Sequence, residues 1–351
     1  MNVKRIALLA CACLVIVTAL HLWLNFDWSG FLNEGLPPGK RKLNVAYIPV
    51  TCHLTCPVTD YISRRGKGGN IFIPKKFQGF PEIKDALIAN RMQAAFIVAP
   101  MAMALASQGV PIKIVYLGHR YGSAVVVRKD GAIHSVRDLR GKTLAIPSRF
   151  SDEHLIVVRA LAKNGMTRQD LHIVEMAPPD VSGALAVDAI DAFSMGEPFP
   201  SQAEMGGYGR ILFKAAEYWP DFMSCVLVVR QDLIDRRPAA VQDLVDGIAR
   251  SGLWLDTGRP HRAYASEFVG RYYYNQPPAL LRWALTRDLE RVIYSRLGPR
   301  KPDFDLVRDL MLETGLLTRR IEFAEYVDTR FADGAAHKTS WSFESGTAAA
   351  Y

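Results

Sequence analysis

The chain has 351 residues, 49% of them apolar and 22% charged, with a formal charge of +8. That composition belongs to an ordinary globular protein, long enough to bury a sizeable core and, as a prior, to form two domains. The positive charge is scattered apart from short clusters at Lys40-Arg41-Lys42 and Arg64-Arg65-Gly66-Lys67, with no aromatic-interleaved basic stripe. A nucleic-acid partner is therefore not expected. A solvated basic surface or an anion-attracting cleft would use the same charge.

At the N-terminus two cations precede an uncharged stretch from Ile6 to Leu24. At helical rise it just spans a hydrocarbon core of about 30 Å. Cations before the span, with the first acid only at Asp27, predict an inside N-terminus and an exported remainder. Leu8-Leu9-Ala10-Cys11 resembles a lipobox and would make Cys11 a lipidated terminus, but few apolar residues precede it and the following residues stay apolar. Residues 1–24 are thus read as an uncleaved membrane anchor, with a lipoprotein or a cleaved signal as alternatives. Each places the protein on the extracytoplasmic face of the membrane. Residues 25–42, with Gly, two Pro and a basic cluster, are expected to be a linker.

From Leu43 onward short apolar runs alternate with helical periodicity. Strands are expected at 43–50, 92–98, 112–117, 123–128, 143–146 and 172–175. Helices are expected at 81–90, 100–108, 136–142 and 152–164. This alternation predicts an α/β fold with largely parallel sheets. A further strand, 225–230, precedes amphipathic helices at 238–255, 278–297 and 304–315. The Gly, Ala and Ser-rich tail, 335–351, is expected to be frayed.

Several phrases stand out: Gly109-Val110-Pro111-Ile112-Lys113, Gly118-His119 with Gly122-Ser123-Ala124, Asp138-Leu139-Arg140-Gly141-Lys142, Asp191 to Phe199 with its Gly-Glu-Pro turn, and 304–331. Together they resemble the nitrate/sulfonate/taurine family of ABC-transporter substrate-binding proteins, nearest its nitrate- and bicarbonate-binding branch. The resemblance implies a two-lobed periplasmic-binding-protein clamshell of type II with a helical C-terminal region. Lobe one would be 43–123 and 226–334, and lobe two 124–225, with strands 123–128 and 225–230 as the hinge. It also implies a small oxyanion or sulfonate-like ligand, an ABC permease with its ATPase as partners, no cofactor and no enzymatic activity. Ligand contacts to both lobes would favour the closed state.

Within that frame Thr51, Cys52, His53 and Cys56 fall in a loop facing the cleft, where relatives carry a small apolar sequence and a Lys-Glu pair. Cys225 lies at the mouth of the returning hinge strand. Three readings of these thiols stand: a soft-metal, metalloid or organomercurial site through Cys52, Cys56 and Cys225; a Cys52–Cys56 disulfide, as an oxidising compartment allows; or unrelated buried thiols. Ser148, Arg149 and Ser151 at a helix start make an anion seat, or Ser151 is a simple cap. Glu197 is read as a ligand or cation contact or as a cap on local backbone, and Tyr121 as the pocket floor or a structural aromatic, while Tyr218-Trp219 is assigned to the core and Tyr272-Tyr273-Tyr274 to packing between C-terminal helices. No nucleophile elbow, P-loop, dinucleotide fingerprint or His-Glu-x-x-His occurs. Two other classes share such a fold: a membrane-anchored sensor, and a cysteine-rich thiamine-pyrimidine synthase that uses pyridoxal phosphate.

Overall fold

The computed structural model describes residues 3–26, 28–65, 71–295 and 297–336. Its first unit, residues 1–42, is built on the helix Val3–Asn25, whose apolar side chains are exposed. The stretch expected to be an irregular linker contains a short helix, Trp28–Glu34, and a turn, Pro38–Lys40. Asn33 explains part of that order. Its amide donates to the Lys42 carbonyl at 2.9 Å and accepts the Lys42 N–H at 2.7 Å.

The second unit begins at Leu43. One sheet contains β1 (Leu43–Tyr47), β2 (Phe72–Lys76), β3 (Ala94–Val98), β4 (Ile112–Leu117) and, returning much later, Cys225–Arg230. A small ribbon follows, whose first strand is β5 (Arg120–Tyr121). The second sheet is formed by β6 (Ser123–Arg128), β7 (Thr143–Ile146), β8 (His172–Glu175), β9 (Ala192–Gly196) and β10 (Gly209–Lys214). Cys225–Arg230 is β11, and β12 (Val292–Ile293) pairs with β5.

The strand orders are β2-β1-β3-β11-β4 and β8-β7-β9-β6-β10. These match position for position. In each sheet three strands pair in parallel and one opposed strand enters beside them, β11 in the first and β6 in the second. The opposed strand is always the first one formed after the chain crosses over. Continuous apolar runs suit these inner positions, because helices cover both faces. All five residues of β3 and the first five of β11 are buried.

The two strands expected to act as a hinge therefore each lie inside one sheet. The chain instead crosses at 118–122 and returns at 215–224. These crossings run side by side, with Tyr121 N–H donating to the Phe222 carbonyl at 2.9 Å and Gly118 N–H to the Cys225 carbonyl at 2.6 Å. Arg120 adds a bond to the Asp221 carbonyl at 2.8 Å.

Helices expected at 81–90, 100–108, 152–164 and 238–255 appear as Phe80–Ile88, Ala99–Ser107, Asp152–Lys163 and Pro238–Asp256. The long helix expected over 278–297 stops at Thr286. Two interactions favour the stop: buried Arg262 donates to the Leu285 carbonyl at 3.2 Å, and Asp288 caps a new turn by accepting the Glu290 N–H at 3.0 Å. Tyr273 and Tyr274 do not pack only among C-terminal helices. Their hydroxyls reach Asp60 at 2.8 Å and the Val50 carbonyl at 2.6 Å, at the end of β1. Of the expected tail, residues 335 and 336 close the helix Arg330–Ala336, and the rest lies outside the described residues.

Candidate ligand site

The segment after β1 is not an open loop. Thr51–His53 forms a tight turn and Thr55–Arg65 a helix, which Pro57 tolerates because it sits in the first turn. Thr51, Cys52, His53 and Cys56 are all buried. Thr51 reaches the other sheet: its N–H and its hydroxyl both donate to the Glu197 carbonyl, at 2.8 and 3.0 Å. With that proton spent, Thr51 Oγ1 accepts from His119 Nε2 at 3.3 Å, which leaves His119 Nδ1 a bare acceptor without a partner. His53 has the opposite tautomer. Its Nδ1 accepts the Ile48 N–H at 2.8 Å, so the neutral ring keeps its proton on Nε2, which also lacks a partner. Burial holds both imidazoles neutral, His53 well below its usual range and His119 at about 3.

Cys52 Sγ lies 2.8 Å from Cys225 Sγ, and a ring nitrogen of His53 lies within 4.8 Å of both sulfurs. Cys56, expected to join them, does not belong to this group. Helix formation at Thr55 carries Cys56 toward Asp60 and Tyr47, where burial, and next the Asp60 charge, push its thiol well up. No disulfide joins Cys52 to Cys56; both are free thiols. Burial likewise raises Cys225 well above the ordinary thiol range.

The second sheet contributes a pair of acids at the start of the helix Asp152–Lys163. Asp152 Oδ2 accepts the Ala99 N–H at 3.2 Å, a further bond between the sheets' flanking elements, and Glu153 Oε1 accepts the Ser123 hydroxyl at 3.0 Å. Asp152 Oδ1 and Glu153 Oε2 have no partner. Both carboxyls are raised, chiefly by burial, and Asp152 next by the charge of Glu153. The charges of the two acids also bear on Cys225, after burial and Cys52.

Other expected contacts lie elsewhere. Glu197 faces Arg291, with which it forms a buried ion pair, and its Oε2 accepts the Ser201 N–H at 3.1 Å. Only its main-chain carbonyl meets Thr51. Ser151 is a helix cap, accepting the His154 N–H at 3.1 Å, and Ser148 accepts the Phe150 N–H at 3.1 Å. Arg149 is 67% exposed and paired with Glu175 at 2.8 Å, in a groove of about 600 Å³ lined by Arg168 and His172 on one side and by Thr314 to Leu316 on the other. Arg149 thus lies in a different place from the Cys52–Cys225 cluster. Replacing Ser151 with alanine is expected to cost about 1 kcal/mol of stability, the usual loss of a cap, measured by thermal unfolding. Tyr121 lines a pocket of about 580 Å³ at the crossing, together with Ser123, Lys214 and Arg291, and its hydroxyl donates to Asp221 at 3.3 Å.

Ser123, Asp152, Glu153 and His119 were not among the expected site residues. The available signal was the adjacent acid pair directly after a capping serine, but such acids usually face solvent at helix starts. The assembled site offers thiols, imidazoles, carboxyls and hydroxyls. The arginines that bear on it are spent: Arg262 on the Leu255, Leu285 and Val292 carbonyls and on Asp256, Arg291 on Glu197 and Glu204.

The sequence profile of the NMT1-like family matches residues 36–270. The taurine-binding periplasmic protein of Escherichia coli is 29% identical over 54% of this chain and 57% of its own length. The nitrate/nitrite binding protein NrtA of a Nostoc species is 26% identical over 42% of this chain and 34% of its own length. The chain thus spans between about a third and somewhat over half of these relatives, both of them described as binding proteins. Among solved structures, the ligand-binding component of an ABC-type import system from Staphylococcus aureus, described with zinc bound, aligns with a TM-score of 0.75 at 21% identity. That alignment covers 84% of this chain and 98% of the other, and it establishes the fold.

Proposed function

Because the chain belongs to the NMT1-like family, we propose that it is the substrate-binding component of an ABC importer. It works outside the cytoplasmic membrane and closes two α/β lobes over one small ligand between its sheets. The lobes divide at the crossings 118–122 and 215–224. The helix Val3–Asn25 is long and apolar enough to hold the protein at the membrane, as a retained anchor or, with lipidation at Cys11, as a leader. The partners are a permease and its ATPase.

One observation carries this reading. Four buried polar atoms drawn from both halves, His53 Nε2, His119 Nδ1, Asp152 Oδ1 and Glu153 Oε2, have no protein partner. Buried polar groups in folded proteins are almost always satisfied, so such a set at the meeting of two sheets fits a place completed by cargo. A thermal-shift panel of nitrate, bicarbonate, taurine, an alkanesulfonate and soft-metal salts tests the proposal. One class is expected to raise the melting temperature, with compaction in small-angle scattering. Glu153→Gln is expected to weaken that ligand about tenfold or more, the loss of one buried polar contact. Stabilisation by none of the panel, or an unchanged affinity in Glu153→Gln, counts against it.

A further inference from the structure

The chemistry of the inter-sheet site narrows the ligand, given the proposed role as a solute trap. Relatives in this family are described as binding nitrate, nitrite or taurine, ligands that a positively charged group would favour. Here Arg149 lies outside the site, and Arg262 and Arg291 are committed to carbonyls and carboxylates. What remains is two thiols 2.8 Å apart, each at most 4% exposed, with a buried imidazole beside them and two buried acids nearby. Soft sulfur donors backed by acids suit a thiophilic cation. An oxyanion would meet sulfur and carboxyl groups with no free positive charge.

We propose that the ligand is a thiophilic metal cation held between Cys52 Sγ and Cys225 Sγ, with His53 beside it. On binding, each thiol exchanges its proton for a metal–sulfur bond and two protons leave; no oxidation or reduction occurs. Two sulfurs on one tetrahedral ion with bonds of about 2.3 Å stand about 3.8 Å apart, so the pair spreads by about 1 Å. The tautomer of His53 fixes its part. A ligating histidine ordinarily donates from its second nitrogen, whereas His53 Nδ1 accepts from Ile48. The sulfurs are therefore the principal ligands, and His53 Nε2–H is a donor that steadies a thiolate or a further ligand of the ion. The two thiolates balance a divalent ion, so its entry with the loss of two protons leaves the net charge of the site unchanged.

The test uses the full chain in detergent, under reductant, with Cys11 and Cys13 replaced by serine, and cadmium as the probe. One cadmium per chain is expected, with thiolate-to-metal charge-transfer absorption and a melting temperature about 5 °C higher at saturating metal. Cys52→Ser and Cys225→Ser should each weaken binding at least a hundredfold, while Cys56→Ser stays within about twofold. His53→Gln should weaken it about 10- to 100-fold with the absorption retained, the size of an outer-shell effect. Should either cysteine variant misfold, the cadmium NMR shift of the unsubstituted site counts its sulfur ligands directly. Two sulfurs support the inference; none overturns it, as does cadmium binding that survives both substitutions. If an oxyanion stabilises the chain and cadmium does not, the metal inference fails while the importer role stands. If neither does, both fall.

Discussion

Replacing Gly118 with alanine is expected to lower the melting temperature by about 6 °C and to impair ligand binding with it. A Cβ built on Gly118 would stand 2.3 Å from the Cys52 carbonyl oxygen and 3.1 Å from that of Cys225. Both are main-chain atoms, so no side chain can swing aside. The Gly118 N–H also donates to the Cys225 carbonyl at 2.6 Å, which fixes the crossing strand against β11. Overpacking of this kind costs up to about 3 kcal/mol, and a chain of this size loses about 2 °C per kcal/mol. Melting followed by circular dichroism, with a titration alongside, checks it. An unchanged melting temperature would mean that the two cysteine-bearing segments are not held in this apposition.

Replacing Arg291 with methionine should destabilise the fold by about 3–5 kcal/mol near neutral pH, the usual result of stranding one member of a buried pair. Glu197 is fully buried and Arg291 is its counter-charge. Burial already holds the Glu197 carboxyl above its ordinary value, against the downward pull of Arg291. The folded chain therefore takes up this proton more readily than the unfolded chain. The stability linked to it is complete below the unfolded carboxylate range and is lost as pH rises through the folded value. Without Arg291 the folded value climbs further, so the loss continues to higher pH. The defect should be small in mild acid and largest at neutral pH, as urea unfolding at several pH values would show. A defect independent of pH would indicate lost packing alone.

Much of the fold could be read from the sequence because its inner strands are unbroken apolar runs. The runs at 94–98 and 225–229 lie inside the sheet and are wholly buried, and 112–117, though it forms an edge, is buried apart from Lys113. β2 escaped notice because Phe72–Lys76 carries Pro74 and two lysines, a pattern that only an edge strand tolerates. The matching strand orders of the two sheets have no signature in any local pattern, because pairing joins residues far apart in the chain.

The site was legible in part. Cys52 and Cys225 meet because β1 and β11 both flank β3, as the family resemblance implied. Cys56 was misjudged because one turn of unrecognised helix, starting at Thr55, is enough to turn a side chain to another face. The partner of Arg149 is not legible locally: Glu175 comes within reach only because its strand, β8, lies next to β7, the one before Arg149. His119 carries no local signal, since its role depends on the Thr51 hydroxyl already donating its hydrogen bond to the Glu197 main-chain carbonyl.

The double grip of Thr51 on the Glu197 carbonyl bears on how an empty copy behaves. Two hydrogen bonds of about 1 kcal/mol each can enrich the shut form about thirtyfold without cargo. If the chain serves the importer proposed above, a permease sensing outline alone would be visited by vacant copies, and idle ATP turnover would follow. Because the acceptor is a peptide carbonyl, changing the side chain at 197 would not remove the catch. A valine at 51 would remove the hydroxyl bond while its N–H still reaches the Glu197 carbonyl and Asp152 still holds the Ala99 N–H, so the empty protein's hold would loosen without being lost.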